Sequence, residues 1–149
     1  MNRHNNHITQ ATEGVKTLLR VGQMLQDHVQ TVCQTYGLTL STANVLAIID
    51  GAGEPLAPQI ICERLLITSG AVTQLIDVLE KRDLVTRVKN PKDRRSVLVK
   101  ITSKGQEVRQ ACESALHDKD QMWMEPLGPD ELVALTTMLK KLELHIKLL

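Results

Sequence analysis

The sequence predicts a mainly α-helical fold carrying one small β-hairpin. Three observations lead there. Apolar residues recur every three or four positions through most of the chain, two β-branched runs flank a single NPKD turn, and proline or glycine punctuates most junctions. With 149 residues, 42% of them hydrophobic and 23% charged, the chain suits a single domain with a real core.

The first helix is read from the stripe Ile8, Ala11, Val15, Leu18, Gly22, Leu25, Val29, Val32 and Tyr36, and it ends at Gly37. Ahead of it, the polar MNRHNNH segment reads as a tail. Thr39 or Ser41 caps a second helix, LSTANVLAIID, which Gly51 and Gly53 terminate. Pro55 and Pro58 bracket a connector, and Pro58 suits the first turn of a third helix, PQIICERLL. Thr68 or Ser69 caps a fourth, with Val72, Leu75, Ile76 and Leu79 facing inward and Ser69, Gly70, Thr73, Gln74 and Asp77 on or near the outer face. LVTRV and SVLVKI then form the hairpin. Thr102-Ser103 caps a fifth helix over residues 103–124, and Pro129 or Asp130 opens the last. There Leu132, Leu135, Leu139, Leu142, Ile146 and Leu149 alternate spacings of three and four, a seam suited to a partner helix.

No apolar run approaches the roughly 18 residues that span a bilayer, and the polar N-terminus lacks the apolar centre of a secretion signal. A cytoplasmic protein with no membrane partner is expected. Cys33, Cys62 and Cys112 are odd in number and widely spaced, which argues against a disulfide framework or a zinc knuckle and for reduced, partly buried thiols. The histidines are scattered, so no metal site and no cofactor is expected. No nucleophile elbow, phosphate loop or paired-carboxylate spacing points to an enzyme.

The net charge of +1 hides a split. Lys81 to Lys104 holds nine basic residues and two acidic ones, a local +7 that leaves −6 for the remainder. A basic patch on an acidic body is the footprint of a polyanion binder. Two short helices, a turn and a third helix opening on small polar residues form a helix-turn-helix pattern. The N-terminal turn of such a helix faces base edges in the major groove, and its free amides favour phosphate. Ser69, Gly70 and Ala71 allow close approach, while Thr73 and Gln74 reach bases. A basic hairpin directly after that helix has the form of a wing, which runs along the backbone toward a minor groove where arginine gains most.

SGAVTQLIDVLEKRDLVTRVKNPKDRRSVLVKITSKG resembles the recognition helix and wing of the MarR (multiple antibiotic resistance regulator) family. Asp93-Arg94-Arg95 at the wing tip, followed by LVKITSKG, is the most specific part of the resemblance. It extends more weakly to Gly37-Leu38-Thr39 and to the terminal helices. The resemblance implies a winged helix-turn-helix lobe at residues 38–102 and a helical dimerisation region at 1–36 and 103–149. It also implies a homodimeric regulator of transcription, a repressor, on double-stranded DNA with a pseudo-palindromic operator, released by a small organic effector.

By the same resemblance Arg95 enters the minor groove, Asp93 orients it, and Arg94 meets phosphate. Ser69, Gly70, Ala71, Thr73 and Gln74 read the major groove, with Thr39, Ser41 and Thr68 beside them on the DNA face. Lys92 and Arg87 are expected on phosphates. Asp77 reads equally as a solvated carboxylate or as a second acid pairing with Arg95 or a wing lysine. Gln74 stands where many relatives have arginine, and Asp83 stands where they have glycine, so that turn is expected to differ. His28, Tyr36 and Trp123 are the candidate effector-lining residues. A winged helix that binds protein instead of DNA is the rival reading, and it predicts binding insensitive to salt.

Overall fold

Caps and breakers set the element boundaries. The computed structural model describes residues 2–93 and 95–149, with side chains from residue 9 onward. In order come α1 (Asn2–Thr35), α2 (Leu40–Ala52), α3 (Pro58–Leu65), α4 (Ser69–Lys81), β1 (Val85–Lys89), β2 (Val97–Ile101), α5 (Ser103–Met124) and α6 (Pro129–Ile146). The chain divides into two compact units, Met1–Glu113 and Ser114–Leu149.

α1 begins well before the expected start and takes in the polar segment read as a tail. Nothing there breaks a helix: the first glycine is Gly14 and no proline precedes it. α1 ends as Gly37 turns left-handed at φ 67. Thr39 caps α2 in a reciprocal box, its hydroxyl accepting from the Thr42 amide at 3.1 Å while Thr42 Oγ1 accepts from the Thr39 amide at 2.8 Å. α2 runs through Gly51 and stops at Gly53, which is left-handed at φ 69. Pro58 opens α3, and Thr68 caps α4 through the Ala71 amide at 3.3 Å.

The turn between α3 and α4 contains no glycine. Leu66 takes the left-handed conformation there, at φ 55 with its side chain 90% exposed. Asp83 does the same after α4, at φ 58. The turn expected to differ therefore keeps a left-handed form, with Leu84 N–H donating to Leu79 O at 3.0 Å. The connector at Leu56 is more than a linker. It pairs antiparallel with Val99 through bonds of 2.9 and 2.8 Å, adding an isolated bridge beside the β1–β2 hairpin.

The core of the first unit gathers Leu38, Val45, Leu46, Ile49, Ile61, Val72, Ile76, Leu79, Leu84, Val85 and Val99, all nearly inaccessible. Leu75, expected among them, is half-buried at the rim. Asp50 anchors α5 to the end of α2, meeting Arg109 Nε at 2.6 Å and Gln106 Nε2 at 3.1 Å.

Cys33 and Cys112 are buried with their sulfurs 3.9 Å apart, and Cys62 is partly exposed. Burial first, then the neighbouring Cys33, pushes the Cys112 thiol up to about 12. A folded-state value above the unfolded one stabilises fully below the ordinary value of 9.0, and that stability is lost as pH climbs to about 12. Between those limits the native protein should lose stability faster than a Cys112→Ala variant in denaturant titrations. Native alkylation should modify Cys62 alone, with all three thiols reacting after unfolding, as peptide mass mapping would report.

In the second unit, Glu131 closes the start of α6 by accepting from the Gly128 amide at 2.8 Å. Leu139, Leu142 and Ile146 of the expected seam are 38%, 47% and 61% exposed in the single chain. Val15, Leu18 and Leu19 of α1 are also exposed. No single described helix is long and apolar enough to cross a membrane.

Candidate nucleic-acid interface

An amphipathic helix packed by three buried residues must present the rest of its surface. Val72, Ile76 and Leu79 fix α4 against the core, which leaves Ser69, Gly70, Thr73 and Gln74 exposed and Ala71 half-buried. A Cβ on Gly70 would meet nothing within 4 Å, so internal packing does not require glycine there. Thr73 Oγ1 donates to Ser69 O at 2.9 Å, which holds the hydroxyl against its own helix and leaves its acceptor capacity outward. Gln74 is exposed, and the oxygen and nitrogen of its side-chain amide suit a base edge. Thr68 and Thr39 are exposed at the N-termini of α4 and α2, each spending its hydroxyl on a cap, and Ser41 is exposed in the first turn of α2.

The wing pairs Val85 with Ile101, Arg87 with Val99 and Lys89 with Val97. Its tip is tied internally. Asn90 Oδ1 accepts from the Lys92 amide at 2.9 Å, and Asn90 Nδ2 donates to Ser96 Oγ at 2.9 Å. Asp93 Oδ1 accepts from the Arg95 backbone amide at 3.0 Å, and its carbonyl accepts from the Ser96 amide at 3.0 Å. The acid expected to orient the Arg95 side chain thus holds the Arg95 backbone, because a short aspartate two residues upstream reaches the amide first. Lys92 and Arg95 are exposed at the tip, and Arg94 lies outside the described residues.

Asp77 departs from both expectations. Its carboxylate lies 2.6 Å from Arg87 Nη2, with Glu80 on the other terminal nitrogen of the same guanidinium. Glu80 Oε1 also accepts from the Arg87 backbone amide at 3.1 Å. Hydrogen bonding to Asp77, offset in part by desolvation and reinforced by Glu80, raises the Arg87 pKa. Arg87, expected on a phosphate, is engaged with two carboxylates of α4.

The +7 segment therefore divides by geometry. Arg82 donates to the Tyr36 carbonyl at 3.1 Å and to Gly37 O, closing the end of α1. Lys104 Nζ donates to Arg82 O at 2.8 Å. With Arg87 these side chains spend their charged ends on the protein, Lys104 while still exposed, and Lys81, Lys89, Lys92, Arg95 and Lys100 make up the remaining exposed cations of the segment among the described residues. A count of charges along the sequence could not separate the two groups. The acids three residues apart on α4, facing an arginine on the next strand, were the available signal.

Of the candidate effector residues, His28 is exposed, Tyr36 is half-buried, and Trp123 is half-buried on the part of α5 in the second unit. A cavity of about 690 Å³ in the first unit lies elsewhere, between the end of α2, the base of the wing and the start of α5. Asp50, Glu54, Thr86, Lys100 and Gln106 are among its lining residues. Among the described residues no three His, Cys, Asp or Glu side chains gather into a metal-sized group.

The MarR family model matches residues 36–96, from the end of α1 to the wing tip. The uncharacterized HTH-type transcriptional regulator YkoM of Bacillus subtilis is 31% identical over 130 residues, covering 87% of this chain and 84% of the relative. The HTH-type transcriptional regulator MhqR of the same organism is 30% identical over 131 residues, covering 87% and 89%. Among solved structures, a mutant MarR from Escherichia coli complexed with operator DNA superposes with TM-score 0.76 at 26% identity, over 95% of this chain and 99% of that one. Sco5413, a MarR family transcriptional regulator from Streptomyces coelicolor, superposes with TM-score 0.77 at 27% identity, over 93% and 96%.

Proposed function

Because the chain belongs to the MarR family of transcriptional regulators, we propose that it binds double-stranded operator DNA as a cytoplasmic homodimer and represses transcription from a pseudo-palindromic site. The observation that carries this reading is the pairing of two exposed surfaces in one lobe. The outer face of α4 offers Ser69, Gly70, Thr73 and Gln74, and the wing tip offers Lys92 and Arg95. Helix amides and small side chains suit the major groove, and an exposed arginine on a narrow hairpin suits the minor groove. Homodimerisation is supported by the apolar residues that α1 and α6 leave uncovered in a single chain, which a second copy would bury. Release by a small organic effector completes the proposal. The cavity against the wing base has the size of a small-molecule site, and an occupant there would bear directly on the hairpin.

Selection of bound sites from random DNA at fixed salt tests this. The expected result is two inverted half-sites about 34–36 Å apart, one helical turn, bound with an affinity that falls steeply as salt rises. A light-scattering mass equal to one chain at micromolar concentration would remove the dimer. Binding that ignores both sequence and salt would remove the operator.

A further inference from the structure

Arg87 stands on β1 with its guanidinium held from two sides by α4. Asp77 takes Nη2 at 2.6 Å, Glu80 takes Nη1, and the second oxygen of Glu80 takes the Arg87 backbone amide at 3.1 Å. Arg87 is thereby fixed at both its main chain and its side-chain end by acids one helical turn apart on the recognition helix. Between these elements the chain offers only the turn 82–84, which includes left-handed Asp83. The Leu56–Val99 bridge and the Thr102 and Lys104 bonds hold the wing at its base, and the Arg87 bonds tie β1 itself to α4.

We propose that Asp77, Glu80 and Arg87 form a clamp that sets the angle of the wing against the recognition helix, making Arg87 a positioning residue and not a phosphate contact. This rests on the operator-binding reading above. Lever arithmetic says why the angle matters. From Arg87 through the end of β1 to Lys92 the chain spans at most about 17 Å at about 3.3 Å per residue, so a pivot of about 10° at the clamp carries the tip by up to about 3 Å. That is enough to lift Arg95 out of hydrogen-bond reach of a groove.

The clamp also carries a net charge of −1, which makes its test one of sign. If the two acids were only solvated neighbours of DNA, removing their charge would tighten binding by relieving repulsion. If they position the wing, removing it loosens binding. Asp77→Asn and Glu80→Gln, nearly isosteric, should each weaken operator affinity about three- to tenfold. Arg87→Ala should do likewise while leaving the slope of log affinity against log salt unchanged. Loss of a phosphate contact would lower that slope by about one.

Hydroxyl-radical footprints on the operator should lose minor-groove protection at the wing in all three variants and keep it at the α4 half-site. Hydrogen exchange on the free protein gives a readout that needs no DNA: residues 85–89 should exchange faster in the Glu80→Gln protein. Tighter binding by either carboxylate variant, a slope reduced by one in Arg87→Ala, or unchanged exchange overturns the clamp. If the wild-type chain selects no DNA, the operator reading fails, and hydrogen exchange still decides the clamp.

Discussion

A Gly105→Ala variant is expected to lose about 3 kcal/mol of stability, which in a chain of this size lowers the melting temperature by roughly 10 °C. The reason lies at the junction of α4, the wing and α5. The turn between α4 and β1 leaves its own carbonyls in need of donors, and the segment after β2 supplies them. Lys104 Nζ donates to Arg82 O at 2.8 Å, Thr102 Oγ1 to Asp83 O at 2.6 Å, and the Thr102 amide to Leu84 O at 3.1 Å. Thr102 Oγ1 also accepts from the Gly105 amide at 3.0 Å, capping α5. These bonds draw the first turn of α5 hard against the α4–β1 turn. A Cβ on Gly105 would fall on the carbonyl oxygen of Leu84, with Ile101 Cγ1 only 2.8 Å away.

Backbone has no rotamer with which to escape such a contact, so the junction must open and surrender those bonds. Gly70 is the control, since it too lies in the first turn of a helix but has open space around it. Gly70→Ala should hold or raise stability by up to about 1 kcal/mol, as alanine normally does in a helix. Calorimetric melting of both variants checks the pair. A Gly105→Ala protein that melts with the wild type would refute the close approach.

That contrast also shows where the sequence was readable. Helix boundaries at Thr39, Pro58, Thr68 and Pro129 follow from local chemistry, because a cap or an N-terminal proline acts within four residues of itself. The inward residues of α4 follow from periodicity for the same reason. Non-local determinants were not readable. The Leu56–Val99 bridge joins residues 43 positions apart and leaves only a proline-flanked trace. Leu66 takes a left-handed turn that its side chain disfavours, closed by the Leu66 and Ile67 amides on Cys62 O, and its residue type gives no sign of it.

The candidate site divides along the same line. Exposure of Ser69, Gly70, Thr73 and Gln74 was legible from helix phase. Partnerships of charged side chains were not, since Arg82, Arg87 and Lys104 read like Lys92 and Arg95 until the fold brings carbonyls or carboxylates to them. LVKITSKG, which follows Asp93-Arg94-Arg95 in the most specific part of the resemblance, makes several of its bonds within the protein. Thr102 and Lys104 donate to the turn that follows α4, and Gly105 lets the start of α5 lie against that turn.

Arg95→Ala is the substitution expected to weaken operator binding most, by about 1–3 kcal/mol, or roughly five- to 150-fold. Arg95 is exposed at the tip, and Asp93 Oδ1 accepts from its backbone amide, a bond that holds the main chain of Arg95 and not its guanidinium. Removing it should erase preference for narrow, A·T-rich flanks while leaving discrimination within the half-site intact. Gln74→Ala should do the reverse, relaxing the choice of base at one position with a smaller loss of affinity. Mobility shifts on operators varied at the flank and in the half-site separate these outcomes, and operator affinity unchanged in Arg95→Ala would refute the wing assignment. Substitutions at Asp93 then test how the tip is held. An asparagine keeps the Oδ1 acceptor and loses a charge that repels phosphate, so Asp93→Asn should bind at least as tightly as wild type while Asp93→Ala loses affinity. If Asp93→Asn falls as far as Asp93→Ala, the carboxylate acts on Arg95 through its charge, and the backbone bond is not what positions the arginine.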